Sequence, residues 1–244
     1  MPAGDADWAA ELMELRRQAY ERYSPVFWRP APNVTGPHAR FLRNQISAPA
    51  TIALRTRDGF IICQRRETEG FVDDFAVSPP GSWDHAGAAL LLAAAERLAA
   101  TGIHAVRVVT ADADHAKCDM LESLSLRVAE QWWVRELTPA GQAAEAEPGR
   151  VSGPGFAGIL VPAPPVYDPG GLVFQLDPAG GYADPDVIER AAAERGAVLA
   201  VVPAAPATAE AADLQQAGWS VASDWYVGWP LPGLPLGRPA AQDG

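Results

Sequence analysis

Residues 108–134 return at 201–227. Val108-Val109, Ala111, Ala116, Leu121, Val128-Ala129, Trp132 and Val134 recur as Val201-Val202, Ala204, Ala209, Leu214, Val221-Ala222, Trp225 and Val227. The offset is a constant 93, with nine identities over 27 aligned positions. Alanine is abundant here and inflates such a count. The Trp-x-Val match does not depend on it, and both copies read strand, helix, strand. Self-similarity at a fixed offset marks an internal duplication, so the fold has to accommodate two related units. Gly171–Leu176 then echoes an earlier strand at Phe71–Val77, and Val187–Arg195 echoes, in shortened form, a helix at His85–Ala100.

The 244 residues suffice for one large domain or two small ones with a buried core. A net charge of −11 argues against a nucleic-acid partner, because neutralising phosphates takes clustered Lys and Arg. Any anionic ligand has to be held by local geometry against the overall field. Cys63 and Cys118 are the only cysteines, and two buried reduced thiols are expected. Met1–Leu15 carries acids and no long apolar run, so neither a signal peptide nor a membrane span is expected there. The expected setting is cytoplasmic.

Asp5 or Asp7 can cap a first helix with apolar positions Trp8, Leu12, Leu15, Ala19 and Tyr23. An aromatic, proline-rich segment from Tyr23 to Pro30 leads to a second helix at His38–Gln45. Thr51–Arg55 and Phe60–Gln64 flank Asp58-Gly59, a hairpin signal. After the strand Phe71–Val77 come the helix ending before Gly102, a strand at Ile103–Val109, a helix at Asp114–Ser123 and a strand at Leu126–Val134. The Ala, Glu, Pro and Gly of residues 138–155 read as a linker. This divides the chain into a first unit over 1–137, a second over 156–229, and a Pro/Gly-rich flexible tail over 230–244.

At Ser78-Pro79-Pro80-Gly81-Ser82-Trp83-Asp84-His85-Ala86-Gly87-Ala88-Ala89-Leu90-Leu91 a loop of small residues runs from a strand onto a helix N-terminus. Unpaired N–H groups and the positive end of the helix dipole converge there, which suits a pyrophosphate. The order of elements around this junction resembles the cofactor half of the GCN5-related N-acetyltransferases, well over residues 5–137 and weakly over 155–229. The resemblance implies a mixed α/β (α+β) fold whose central sheet is mostly antiparallel and flanked by helices, built as two tandem halves. It implies transfer of an acyl group from acetyl-CoA, or another acyl-CoA, to a small-molecule amine in a ternary complex, with no metal. The chain also resembles the acetyltransferases of high-alanine bacterial proteomes.

Under this resemblance the Phe75-Ala76-Val77 backbone lines the pantetheine arm, and an N–H near Val77 meets the thioester oxyanion. The family loop reads Gln/Arg-x-x-Gly-x-Gly/Ala. Aligned with Gly87 as its last glycine, Ser82 falls at the basic position and His85 at the first glycine. Aligned with Gly87 as the first, Asp84 takes the basic position and Ala89 the last. Either way the basic residue and one glycine are absent, which leaves the N–H groups of Trp83, Asp84, His85, Ala86, Gly87 and Ala88 as donors. The family motif Asn-x-x-Ala-x-x-x-Tyr falls on Asp114, Lys117 and Leu121, so the tyrosine that protonates the departing thiolate is leucine here. The second copy has Leu214 there and no Leu-Leu helix behind a glycine loop, so it is expected to be non-catalytic.

An amine acceptor has to lose a proton before it attacks. Asp73 and Asp74 are the candidate bases; as neighbours on a strand they are expected to face opposite ways, with Asp74 toward the acceptor. Alternatively both pair with Arg65 or Arg66. Tyr23, Phe27, Trp28 and Arg29 lie where the family places its acceptor loop, or they anchor that loop on the core. His38 and His115 lack partners at metal-ligand spacing. Trp132-Trp133 and Trp225-Tyr226 alternate across their strands and read first as sheet-packing aromatics, with pairing of the two halves by the outward rings as the secondary reading. A monomer is expected, with a dimer as the alternative. The rival function is a degenerate acyl-CoA or metabolite binder with a regulatory role.

Overall fold

The computed structural model describes residues 1–140 and 146–228. The hairpin at Asp58-Gly59 forms as its sequence dictates: β1 (Thr51–Arg55) pairs antiparallel with β2 (Gly59–Arg65), Arg55 opposite Phe60. Gly59 is obligatory, since a Cβ there would sit 2.6 Å from the Ala76 carbonyl oxygen. β3 (Gly70–Val77) pairs antiparallel with β2, and β4 (Val106–Thr110) runs parallel to β3. Then come β5 (Arg127–Glu136), β6 (Gly149–Gly153), β7 (Phe156–Pro162), β8 (Leu172–Leu176), β9 (Leu199–Ala204) and β10 (Ser220–Gly228).

All ten strands form one mixed, mostly antiparallel sheet in the order β1-β2-β3-β4-β10-β5-β9-β8-β7-β6. The second half repeats the first: hairpin β6–β7, β8 parallel to β9, then β10. Its helices α5 (Pro185–Glu194) and α6 (Ala209–Gln216) follow β8 and β9, as α3 (Ala88–Ala99) and α4 (His115–Ser123) follow β3 and β4. Among the described residues, no helix of the second half matches α1 (Ala6–Tyr23) and α2 (Thr35–Ser47), which precede β1.

Each half lends its last strand to the other. β10 lies between β4 and β5, and β5 lies between β10 and β9. Tyr226 of β10 is therefore buried in the first half's core with Phe75, Leu91 and Leu121. Trp133 of β5 is buried in the second half's core with Phe174 and Leu214. Residues 93 apart meet across the β5–β10 seam. Trp132 stacks on Trp225 at 4.8 Å between centroids, and Gln131 Nε2 donates to Asp224 Oδ1 at 3.0 Å. Such self-contacts between equivalent positions define a local two-fold axis through the seam.

Three expectations change. The buried stripe of α1 is Ala6, Ala9, Ala10, Met13, Arg16, Arg17 and Tyr20, whereas Leu15 and Tyr23 are exposed. The helix is rotated from its apolar periodicity because it turns charged residues inward. Asp5 stands at the N-cap position without a capping bond, its carboxylate pairing with Arg55 at 2.7 Å; Asp7 pairs with Arg43. Residues 149–153 of the stretch read as linker form β6. Both cysteines are buried free thiols. Residues 230–244, read as a tail, lie outside the described residues. Among the described residues no helix is long and apolar enough to cross a membrane.

Candidate active site

β3 and β4 stay paired only from Gly70–Val106 to Val72–Val108; β3 then runs on to Val77 paired with β2 alone. Two local features shape the opening. The first is a bulge: on β2 the register steps from Cys63 to Ile61, while on β3 it steps from Val72 to Phe75. The extra residue turns both carboxylates toward the helices on one face, where flat alternation would have sent them to opposite faces. Asp73 lies beside Arg16 of α1, and Asp74 beside His38 of α2. Arg65 and Arg66 take no part, since Arg65 donates to the Pro49 carbonyl and Arg66 lies over the Phe71 ring.

Asp74 is enclosed. Its Oδ1 lies 3.1 Å from His38 Nε2, and Arg17 Nη1 lies 2.9 Å from His38 Nδ1. A guanidinium only donates, so Nδ1 accepts and Nε2 carries the proton that bonds Asp74. Arg17 also bonds Glu14. Asp73 is the open carboxylate, its side chain 58% exposed although it stands in the middle of the molecule. Surrounding protein and the adjacent Asp74 push its carboxyl above the usual carboxylate range, opposed by Arg16, Lys117 and His38. The bulge thus assigns the two acids different environments. Asp73 is exposed and Asp74 is not.

The second feature is Lys117 of α4. It is completely buried, and its Nζ donates to the Val109 carbonyl at 2.9 Å beneath the rings of Phe75 and Trp83. Ala105 O pairs with Gly70 N, so by strand alternation Val109 O is the next-but-one acceptor facing β3, where the ladder has opened. Burial, and secondarily Arg16, lower the lysine's pKa to about 7, with Asp114, Asp73 and Cys118 opposing. Leu121, one helical turn on, is also buried.

At the loop, Pro80–Ser82 makes a tight turn and Trp83–Gly87 a wide π-type turn that runs into α3. The Ser82 N–H donates to Pro79 O, the Trp83 N–H to Pro80 O, and the Ala88 N–H to His85 O and Trp83 O. Three of the expected contacts are thereby engaged, and Asp84 to Gly87 form the helix mouth. Gly87 has an ordinary helical φ of −61°. Its smallness serves Trp83, whose ring a Cβ would meet at 2.5 Å.

The surroundings of the expected acceptor loop are built from both halves. Tyr20 of α1 donates to Asp114 Oδ2 at 2.9 Å and bonds the Thr110 hydroxyl at 3.0 Å. Of the expected acceptor loop, Trp28 is a buried anchor whose Nε1 donates to Ala222 O, with Phe27 edge-on against it. Tyr23 points to solvent beside Tyr20. The Arg29 carbonyl accepts from the Asp168 N–H, and the Ala31 N–H donates to Val166 O. This strap brings Tyr167 of the second half against Trp28, at 5.3 Å between centroids. The Tyr167 phenol is pushed upward by burial and feels the charges of Arg16 and Asp73. Nothing in the sequence pattern pointed to Arg16, Arg17 or Tyr167. In the second half, Asp184 caps α5 through the Asp186 N–H, which places negative charge where an anion would sit. Among the described residues no group of three or more His, Cys, Asp or Glu is placed to hold a metal ion.

No family model and no curated protein matches this chain in sequence. Solved structures do match in shape. A candidate acetyltransferase from Thermoplasma acidophilum is similar over 87% of this chain and 89% of its own, at a TM-score of 0.56 and 9% identity. A GCN5-related N-acetyltransferase from Sphaerobacter thermophilus is similar over 97% of this chain and 96% of its own, at 0.52 and 12%. With a strand pair that parts after Val72, a helix mouth behind it, and a second copy of the same unit joined through exchanged strands, this chain has the fold of the GCN5-related N-acetyltransferases in tandem form.

Proposed function

We propose that the chain is an acyl-CoA-dependent N-acyltransferase acting on a small amine, with Asp73 as the base. The observation that carries this reading is the open carboxylate at the parted strands, held above its usual pKa. A raised carboxylate binds an ammonium proton more strongly than an ordinary one and can relay it to water. The acyl donor, when bound, would supply the thioester. The free edge of β3 from Phe75 to Val77 suits its amide-bearing arm, and the mouth at Asp84–Gly87 suits its diphosphate. Asp74 then acts through position, fixing His38, and α2 with it, against β3. Like-folded proteins that are acetyltransferases support the reaction class.

A second reading, a binder that has lost transfer, is favoured by Lys117. Its ammonium holds the backbone acceptor that parted strands offer to an incoming arm, and no tyrosine stands at Leu121. Calorimetry with acetyl-CoA and with CoA, followed by thiol release over an amine panel, separates the two. Transfer that falls at least tenfold in Asp73→Asn and less in Asp74→Asn supports the first. Binding without release supports the second. No binding of either ligand removes both.

A further inference from the structure

We infer that the acceptor carries a carboxylate close to its amine, as an α-amino acid does, with Arg16 taking the carboxylate and Asp73 the ammonium. The inference rests on the acyltransferase reading for its reaction and on independent geometry for its ligand.

Among the described residues, Arg16 is a buried cation with unpaired donors. Its side chain is 6% exposed, and Nη1 alone is well bonded, to the Asp73 carbonyl at 2.6 Å. Nε and Nη2 have no hydrogen-bond partner. Buried guanidinium donors left unpaired carry a desolvation cost that an anion would offset. The neighbouring arginine shows the contrast, because Arg17 is bonded to Glu14 and His38.

The carboxylate nearest to Arg16 does not fill the vacancy. Asp73 Oδ1 stands 4.0 Å from Nη2, too far for a hydrogen bond, and keeps most of its surface open. One donor edge and one acceptor edge therefore lie side by side without satisfying each other. A zwitterion with both charges on one carbon can close that square, its carboxylate on Nη2 and its ammonium on Oδ1. It would add no net charge beside the buried guanidinium, whereas a simple amine would leave Arg16 unpaired. Tyr20 lies under the guanidinium at 4.6 Å, and Tyr167 of the second half, packed on Trp28, is near enough to feel the charges of Arg16 and Asp73. On this account the second copy retains a role in the first copy's acceptor site.

The test compares each of the twenty proteinogenic amino acids with its methyl ester, by thiol release from acetyl-CoA and by thermal shift without it. For at least one amino acid, kcat/KM for the free acid should exceed that of its ester by about tenfold or more, the worth of a charge-assisted hydrogen bond. Arg16→Met should bring that ratio toward one, mainly through KM, and Arg16→Lys should leave it intermediate. Equal rates for acid and ester in the parent protein overturn the inference. So does an Arg16→Met variant that slows both alike, the signature of a structural arginine. Should Arg16→Met fail to fold, the ratio in Arg16→Lys decides: a fall supports the contact and no change overturns it. If acetyl-CoA does not bind, the acyltransferase reading fails by itself. Thermal stabilisation by acid but not ester, weakened in Arg16→Lys, would then still support the contact, and its absence would overturn it.

Discussion

Replacing Lys117 with Met tests the electrostatics of the parted strands without reference to any ligand. Burial lowers the lysine from 10.5 to about 7. At about 1.4 kcal/mol per pH unit, the charged form in the folded protein is penalised by up to about 5 kcal/mol below pH 7. The folded pKa lies below the unfolded one, so the penalty is complete under about pH 7 and fades as the pH rises toward 10.5. Methionine fills the same space between Phe75 and Trp83 but leaves the Val109 carbonyl without its donor, which costs about 1–3 kcal/mol. The net expectation is a gain of about 2 kcal/mol at pH 6, or about 4–8 °C in Tm for a chain of this size. Near pH 10 the gain should vanish or reverse by about 1 kcal/mol. Urea or thermal melts of both proteins at pH 6, 8 and 10 provide the comparison. If Lys117→Met is less stable by the same margin at every pH, the buried ammonium is not penalised, and the reasoning fails. Calorimetry on the same variant reports whether freeing Val109 changes CoA affinity.

Asp224 carries the mirror-image prediction. Burial raises its carboxyl to about 6, with Asp112 and Glu122 adding and the Gln131 amide opposing. Its native pKa lies above the unfolded one, so the stability it contributes is present below about pH 4 and lost as the pH rises through 6. Asp224→Asn keeps an acceptor for Gln131 and should be more stable at pH 8 by about 1–2 kcal/mol, a figure already discounted for partial solvent screening, with little gain at pH 4. A gain that does not change with pH would refute this. Gly87→Ala should destabilise by about 1–3 kcal/mol through overpacking against Trp83. If Gly87 instead served a phosphate, the variant would keep its Tm and lose only CoA affinity.

What the sequence disclosed and what it hid follow from where each signal lives. The offset of 93 was legible because 108–134 and 201–227 form the strand–helix–strand units that pack against each other's copy. Pairing of the outward rings was the secondary reading, behind plain sheet packing, and Trp132 does stack on Trp225. The carboxylate orientation was not, because a bulge is a property of register. Nothing in Val72-Asp73-Asp74-Phe75 says that Cys63 to Ile61 on the neighbouring strand will be one residue short. The face of α1 was misread for a different reason. Periodicity assumes that buried means apolar, and α1 buries Arg16, Arg17 and Tyr20, so the failure of pattern coincides with the candidate site. Tyr167 was invisible because it reaches the first half through a strap between units, which no local motif encodes.

The strand exchange also bears on how such a chain can age. A duplicated gene usually leaves one copy free to decay or be deleted. Here a truncation after the first unit would strip β4 of the partner that it zips against and take Tyr226 out of the first unit's interior. The second copy can therefore lose its own chemistry at its helix mouth while selection still guards its final strand. The duplication became hard to reverse once the two units shared a seam.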